Sequence, residues 1–192
     1  MKRNTTTSAL EWNQMLGLCD QLKKDGFYRE YLLFLLGSHF GLRISDLLSL
    51  TWRDVLRQET VFLKEGKTGK QRVINVHTRV QEALVHCLPL LRMEPNWSVD
   101  RPIFANRWGN QISVSYVNKR IKWVLVKYRI KTQNASSHTL RKTFGRRLWE
   151  QHGESDKALV FLSEIFGHSN TAITRRYLGI TQETIASAYM SL

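Results

Sequence analysis

Apolar residues recur at helical spacing along most of the chain. Trp12, Met15, Cys19 and Leu22 form one stripe of a helix running to about Lys24. Ser8 to Glu11 reads Ser-x-x-Glu, a capping box that predicts where this helix opens. Residues 27–40 are apolar on most sides, as expected of a central buried helix, and Gly41 ends it. Ser45 is expected to cap a short helix over 46–50. The period then changes. Residues 60–63 and 72–76 read as two strands, and 65–70, Glu-Gly-Lys-Thr-Gly-Lys, as the hairpin turn between them.

Helical spacing returns after Thr78, an expected cap. Val80, Leu84, Cys87, Leu88 and Leu91 form the core stripe, and Pro89 and Pro95 mark the end of the helix and the loop beyond. Ile103-Phe104 suggests a short edge strand before a Trp108-Gly-Asn110 turn. Residues 115–131 predict a strong amphipathic helix. Val117, Ile121, Val124, Leu125 and Tyr128 face inward, and Lys119, Arg120, Lys122, Lys127 and Arg129 lie elsewhere, with Trp123 among them. Four further helices are expected over 138–151, 156–166, 170–177 and 181–190. The expected class is α+β, mostly helical with one small antiparallel β-sheet. A domain over 8–180 would lie between a flexible N-terminus, 1–7, and a helical tail, 181–192.

Composition narrows the setting. The 192 residues suffice for one domain with a real core, and 42% apolar with 23% charged residues suits a globular protein. No run approaches the roughly 18 apolar residues of a membrane-spanning helix. Residues 1–7 are basic and polar without an apolar signal region, and Cys19 and Cys87 lie far apart on apolar stripes. A cytoplasmic setting with no membrane partner is expected. Charge adds more. The net charge is +13, and residues 101–150 hold 12 Lys or Arg against the single acid Glu150, a local balance of +11. Such concentration suggests a polyanion-binding face.

Several short runs carry candidate chemistry. Gly41-Leu-Arg43-Ile-Ser-Asp46 places an arginine directly after the buried helix, where a guanidinium could bind a phosphate bidentately and Asp46 could orient it. Gly66-Lys67-Thr-Gly-Lys70 resembles the end of a P-loop, but Val61 stands where that motif needs glycine. A lysine at a hairpin tip could instead enter a DNA groove. His138-Thr-Leu-Arg141 puts two phosphate-capable side chains on one helical face near a helix N-terminus, with Lys142, Arg146 and Arg147 further along. His168 lies at the junction Phe166-Gly-His-Ser-Asn170. Tyr177 follows nine residues later, after Arg175 and Arg176, whose charges would favour its ionised form. Taken singly, each run also has an ordinary reading as surface or packing.

Taken in order, these runs resemble the catalytic domain of the tyrosine recombinase (phage integrase) family over about residues 8–180. Gly-Leu-Arg-Ile-Ser-Asp-Leu-Leu-Ser-Leu resembles its first arginine box, His-Thr-Leu-Arg-Lys-Thr-Phe the second, and Phe-Gly-His-Ser-Asn the third. The resemblance implies six catalytic residues: Arg43, Lys67, His138, Arg141, His168 and the nucleophile Tyr177, with Asp46 behind Arg43. The implied reaction forms a 3′-phosphotyrosyl bond and releases a 5′-hydroxyl, with no cofactor, metal or ATP. It implies double-stranded DNA as partner, contacted by Lys70, Lys119, Arg120, Lys122, Lys127, Lys142, Arg146 and Arg147. It also implies a homotetramer on DNA coupled by the C-terminal tail, and possible DNA-bending accessory proteins. Gly145 stands where alanine is usual and Phe166 where leucine is; both are expected to be packing variation. About seven residues precede the first helix, so either an N-terminal DNA-clamp domain is missing or the recombinase is naturally short. A type IB topoisomerase-like enzyme and a non-catalytic DNA-binding regulator on this fold are the alternatives.

Overall fold

The computed structural model describes residues 7–92, 97–180 and 189–191. Its elements run α1 (Trp12–Lys24), α2 (Tyr28–Phe40), α3 (Ile44–Ser49), α4 (Trp52–Val55), β1 (Thr60–Lys64), β2 (Gln71–Asn75), α5 (Thr78–Leu91), α6 (Val114–Lys127), α7 (Ser137–Gln151), α8 (Asp156–Phe166) and α9 (Thr171–Leu178). The strands form one antiparallel ribbon with Phe62 opposite Val73. The expected mostly helical α+β class is therefore observed.

Helix α2 explains the layout. It has no polar face, and nine of its residues, from Tyr31 to Phe40, are buried. A helix of this kind must be covered all round. It packs against α1, α3, α5, α6 and α7. A second, smaller core joins Trp149 of α7 to Leu159, Leu162 and Phe166 of α8 and to Leu178, with Tyr177 packed against it. Helix α7 belongs to both cores, so its N-terminal half lies along their seam.

Glycine sets the α2–α7 approach at one point. Gly41 closes α2 in the left-handed conformation at φ +58°, and a Cβ there would lie 2.3–2.7 Å from the Phe144 ring. Gly41→Ala should cost about 1–2 kcal/mol for the backbone and about 1–3 kcal/mol more for overpacking. Urea unfolding monitored by tryptophan fluorescence checks this. An unchanged midpoint would mean that the ring and the turn can both yield.

Several boundaries differ from expectation. Helix α1 starts at Trp12 after an uncapped Glu11. Ser8 instead receives the Gln133 N–H, while its own N–H donates to the Gln133 carbonyl. Pairing with a distant loop outcompetes the local box. Thr7 of the expected flexible terminus is fastened to Asn134 and Ser136. Arg43, not Ser45, occupies the cap position of α3. Helix α4, with its Thr51/Asp54 capping box, was not anticipated. His77 rather than Thr78 caps α5, which runs through Pro89 to Leu91. Pro89 has no N–H to give the Val85 carbonyl, and the helix ends two residues later.

Ile103 and Phe104 form no strand; only single bridges, Thr51 to Pro102 and Ala105 to Gln111, occur there. Helix α6 opens one residue earlier than expected, capped by Ser113, and ends at Lys127. The Tyr128 hydroxyl beyond it donates to Asp25. Of the expected tail helix, 181–188 and 192 lie outside the described residues. No helix among the described residues is long and apolar enough to cross a membrane.

Candidate active site

Two loops and two helices meet at the seam between the cores. Arg43 follows the glycine that ends α2. Its guanidinium donates to Glu65 Oε2 at 2.5 Å and to the Phe166 carbonyl at 3.2 Å. Arg141, one turn into α7 and only 5% exposed, donates to the Gly41 carbonyl at 2.6 Å and to the same Phe166 carbonyl at 3.1 Å. Its guanidinium also lies 4.4 Å from the centre of the Phe166 ring. Residues 98 positions apart in sequence thus share one acceptor at the end of α8. Burial lowers the Arg141 pKa to about 10, leaving it cationic at neutral pH.

Tyr177 lies on α9 beside this pair. Its hydroxyl is 3.3 Å from His138 Nδ1. Burial pushes the phenol up to about 12, although Arg141 and Arg43 pull it down. The sequence neighbours expected to activate it do not. Arg175 is turned away to Asp156, and Arg176 is exposed. A phenol this reluctant to ionise needs a base. Burial, then Lys142 and Arg141, lower the His138 pKa, so the imidazole is neutral near pH 7 and able to accept. His168 is lowered likewise, by burial and then by Arg141 and Arg43. Its Nδ1 lies 2.9 Å from the Thr174 hydroxyl, and its ring centre 5.4 Å from that of Tyr177.

The hairpin brings the remaining parts. Lys67 and Lys70 are exposed at its tip. The turn is tied down from below, since Asp46 Oδ1 receives the Gly66 N–H at 3.0 Å. Asp46 therefore positions the lysine turn rather than Arg43, and the carboxylate that orients Arg43 is Glu65. Glu65 also receives Arg72 at 3.1 Å and the Thr68 hydroxyl at 2.7 Å. Arg72 reaches across to the Ile165 carbonyl at 2.7 Å. Sequence reasoning missed both residues. The available signal was alternation: Arg72 shares the inward face of β2 with Ile74, and an inward arginine needs a buried acid.

The structure sorts the other expected DNA contacts. Lys119, Lys122 and Lys127 are exposed on α6. Arg120 pairs with Glu30 at 2.7 Å and lies over Trp123. Arg146 pairs with Glu150, and Arg147 packs on Trp12. Lys142 corrects the expectation outright. It is 3% exposed, its ammonium donates to the Thr7 carbonyl, and it lies 4.9 Å from the Tyr177 ring centre, so it faces the interior. Burial lowers its pKa to about 8. Gly145 and Phe166 bear on packing, as expected. A Cβ on Gly145 would meet Phe166 and Leu178 at 2.8 Å, so the glycine lets α7 approach the helices that carry the tyrosine and the shared carbonyl. Among the described residues, no group of three or more His, Cys, Asp or Glu could hold a metal ion.

Comparison with known proteins identifies the family and the fold. The profile of the phage integrase family matches residues 7–184. A probable integrase/recombinase of Bacillus subtilis, YoeC, is 29% identical over 84% of this chain and 83% of its own length. The tyrosine recombinase XerC of Xanthomonas axonopodis pv. citri is 30% identical over 91% of this chain, which spans about half (51%) of that relative's length. The fold is similar to that of the XerA recombinase crystal structure, with a TM-score of 0.72, 22% identity and coverage of 97% of this chain and 65% of that one. It is also similar to the lambda integrase catalytic core, with a TM-score of 0.61, 20% identity and coverage of 84% and 91%. The fold, the ordered motifs and the matched span together show that this chain belongs to the phage integrase family.

Proposed function

We propose that the chain is the catalytic domain of a site-specific DNA recombinase, an integrase or invertase, that cleaves and rejoins DNA through a 3′-phosphotyrosyl intermediate. One observation supports this most. Tyr177, a phenol held un-ionised by burial, lies within reach of the neutral base His138 and beside two converging guanidiniums. His138 Nδ1 takes the phenolic proton as the Tyr177 oxygen attacks the scissile phosphorus. Arg43 and Arg141 offset the charge on the non-bridging oxygens. The bond to the 5′-oxygen breaks, and Lys67, closing on the DNA from the hairpin tip, gives that oxygen its proton. Reversal with a different 5′-hydroxyl rejoins the strand, and the phosphotyrosyl bond conserves the energy between the two steps.

Double-stranded DNA is the proposed partner, bound by a homotetramer in the cytoplasm. The chain's share of the XerC length leaves room for a further DNA-clamping domain or bending proteins. Lys119 and Lys122, three residues apart and both exposed on α6, are the proposed phosphate contacts that first hold the duplex. Replacing both with alanine should weaken binding to every duplex alike. It should flatten the dependence of log K on log salt by about 2, at roughly 0.9 per phosphate contact. A parallel salt titration of the wild type checks this, and an unchanged slope would remove them from the interface.

The primary test mixes the protein with supercoiled DNA carrying the flanks of its own gene, in EDTA, and seeks SDS-resistant adducts. Adducts that map to one phosphate with a free 5′-hydroxyl support the reading. DNA that is bound yet never linked would favour a non-catalytic regulator. Cleavage that relaxes supercoils without exchanging strands between duplexes would favour a topoisomerase.

A further inference from the structure

Behind His168 runs a chain of three buried or half-buried groups whose proton directions can be deduced. The Ser163 hydroxyl is 2.7 Å from the Leu159 carbonyl. A carbonyl only accepts and a serine has one proton, so that proton is committed there. The Ser163 oxygen is 2.9 Å from the Thr174 hydroxyl. Ser163 has no proton left for this contact, so Thr174 donates. The Thr174 oxygen is in turn 2.9 Å from His168 Nδ1. Thr174 has now used its own proton, so it accepts, and Nδ1 must carry the hydrogen. Thr174 is fully buried and Ser163 is 7% exposed, so water does not compete for either bond.

We infer that Thr174, backed by Ser163, is a positioning residue that holds His168 with its proton on Nδ1, leaving Nε2 as the nitrogen that exchanges a proton in the cleft. The same Nδ1–H···O bond suits the neutral and the charged ring, so protonation changes nothing on the inner side. On the cleft side it changes everything. A neutral His168 offers Nε2 only as an acceptor, and it can donate to a phosphate oxygen only after Nε2 has gained a proton. The charged and titratable groups around the ring are Arg141 from α7, Arg43 before α3, and Tyr177 from α9. Both cations oppose a second proton in the free protein, and a phosphodiester anion placed between them would favour it. His168 is thereby expected to charge when DNA arrives. Ser163 and Thr174 lie outside the six expected catalytic positions.

The test reads the tautomer directly, by long-range proton–nitrogen NMR on the whole chain labelled at histidine nitrogens. The His168 signals are assigned by their loss in His168→Gln. Wild type should show a protonated, pyrrole-type Nδ1 and a bare, pyridine-type Nε2. Thr174→Val removes the acceptor and should move the proton mostly to Nε2. Ser163→Ala frees the Thr174 proton to point at Nδ1 and should do the same, which separates proton direction from packing. Thr174→Ser should restore the wild-type pattern. A wild-type ring protonated at Nε2, or identical spectra in all four proteins, would overturn the inference.

Its consequence for cleavage rests on the proposed function, and a second measurement keeps the two apart. On the duplex mapped with the wild type, Thr174→Val should slow single-turnover adduct formation about 10-fold with DNA affinity unchanged, and Thr174→Ser should not. Equal rates despite a shifted tautomer would deny Thr174 its positioning role. A correct tautomer in a wild type that links to no DNA would instead count against the recombinase reading alone.

Discussion

Tyr177→Phe should abolish covalent linkage to DNA while leaving binding and folding nearly intact. The substitution deletes one oxygen. That oxygen is the proposed nucleophile and stands 3.3 Å from the proposed base. Loss of a nucleophile lowers turnover on the order of 10⁴- to 10⁶-fold in enzymes whose catalytic groups act together. The ring itself packs on the second core, against Phe166 at 5.5 Å between centroids. A phenylalanine keeps that contact and gives up a hydroxyl shared between solvent-accessible His138 and Arg141, whose guanidinium keeps its two carbonyl acceptors, so stability should change by about 1 kcal/mol. The readouts are SDS-resistant adduct on a nicked duplex and duplex affinity by mobility shift. Adducts of equal yield from the variant would mean another residue attacks. Loss of both adduct and binding would mean that the hydroxyl orders the binding surface instead.

Replacing Glu65, which belongs to none of the recognised boxes, should also slow cleavage, by less and by a different route. Its carboxylate is the common partner of Arg43, Arg72 and Thr68. Burial alone would raise its pKa, but bonds from Thr68, Arg72 and Arg43 bring it down to about 2. In Glu65→Ala, two guanidiniums keep their half-buried places without a counter-charge, at a cost of about 3 kcal/mol. Arg43, left with the Phe166 carbonyl as its anchor, would lose the bond that fixes its angle towards the proposed phosphate site, and a misplacement near 1 Å can slow a reaction about 100-fold. Glu65→Gln separates charge from size.

A carboxyl depressed in the folded state stabilises it above the ordinary pKa of 4.5, and this stabilisation is lost as pH falls from there towards about 2. The wild type should therefore lose stability over that window, and Glu65→Gln should lose less of it while starting lower at pH 7. Urea midpoints at pH 7 and pH 3, with adduct rates at pH 7, decide the matter. Parallel pH profiles, or a Glu65→Ala protein that cleaves at the wild-type rate, would remove Glu65 from the site.

Much of the fold was legible because its signals are local. A 3.6-residue apolar period marks α1, α6 and α8 whatever surrounds them, and a run apolar on all sides could only be the covered helix α2. The change to strand spacing around Glu65-Gly-Lys-Thr-Gly-Lys marked the hairpin. Boundaries failed where a distant partner outcompeted a local one. Ser8 pairs with Gln133, not with the start of α1, and Ile103 gives its N–H to the Leu50 carbonyl without building a ladder.

The candidate site divides along the same line. By itself the sequence determined the order and spacing of Arg43, Lys67, His138, Arg141, His168 and Tyr177, and the basic quarter of the chain. These follow from which residue types stand at which positions. Only the tertiary structure decided that Asp46 holds the lysine turn and Glu65 the arginine. It likewise turned Arg175 away from Tyr177, buried Lys142, and drew both arginines to the Phe166 carbonyl. Partner choice among charged and polar groups depends on burial and on contacts between residues as many as 135 positions apart, as between Thr7 and Lys142. A carboxylate three positions from an arginine and one twenty-two positions away look alike in a string. In the folded chain, Asp46 spends its bond on the Gly66 N–H while Glu65 meets the guanidinium of Arg43.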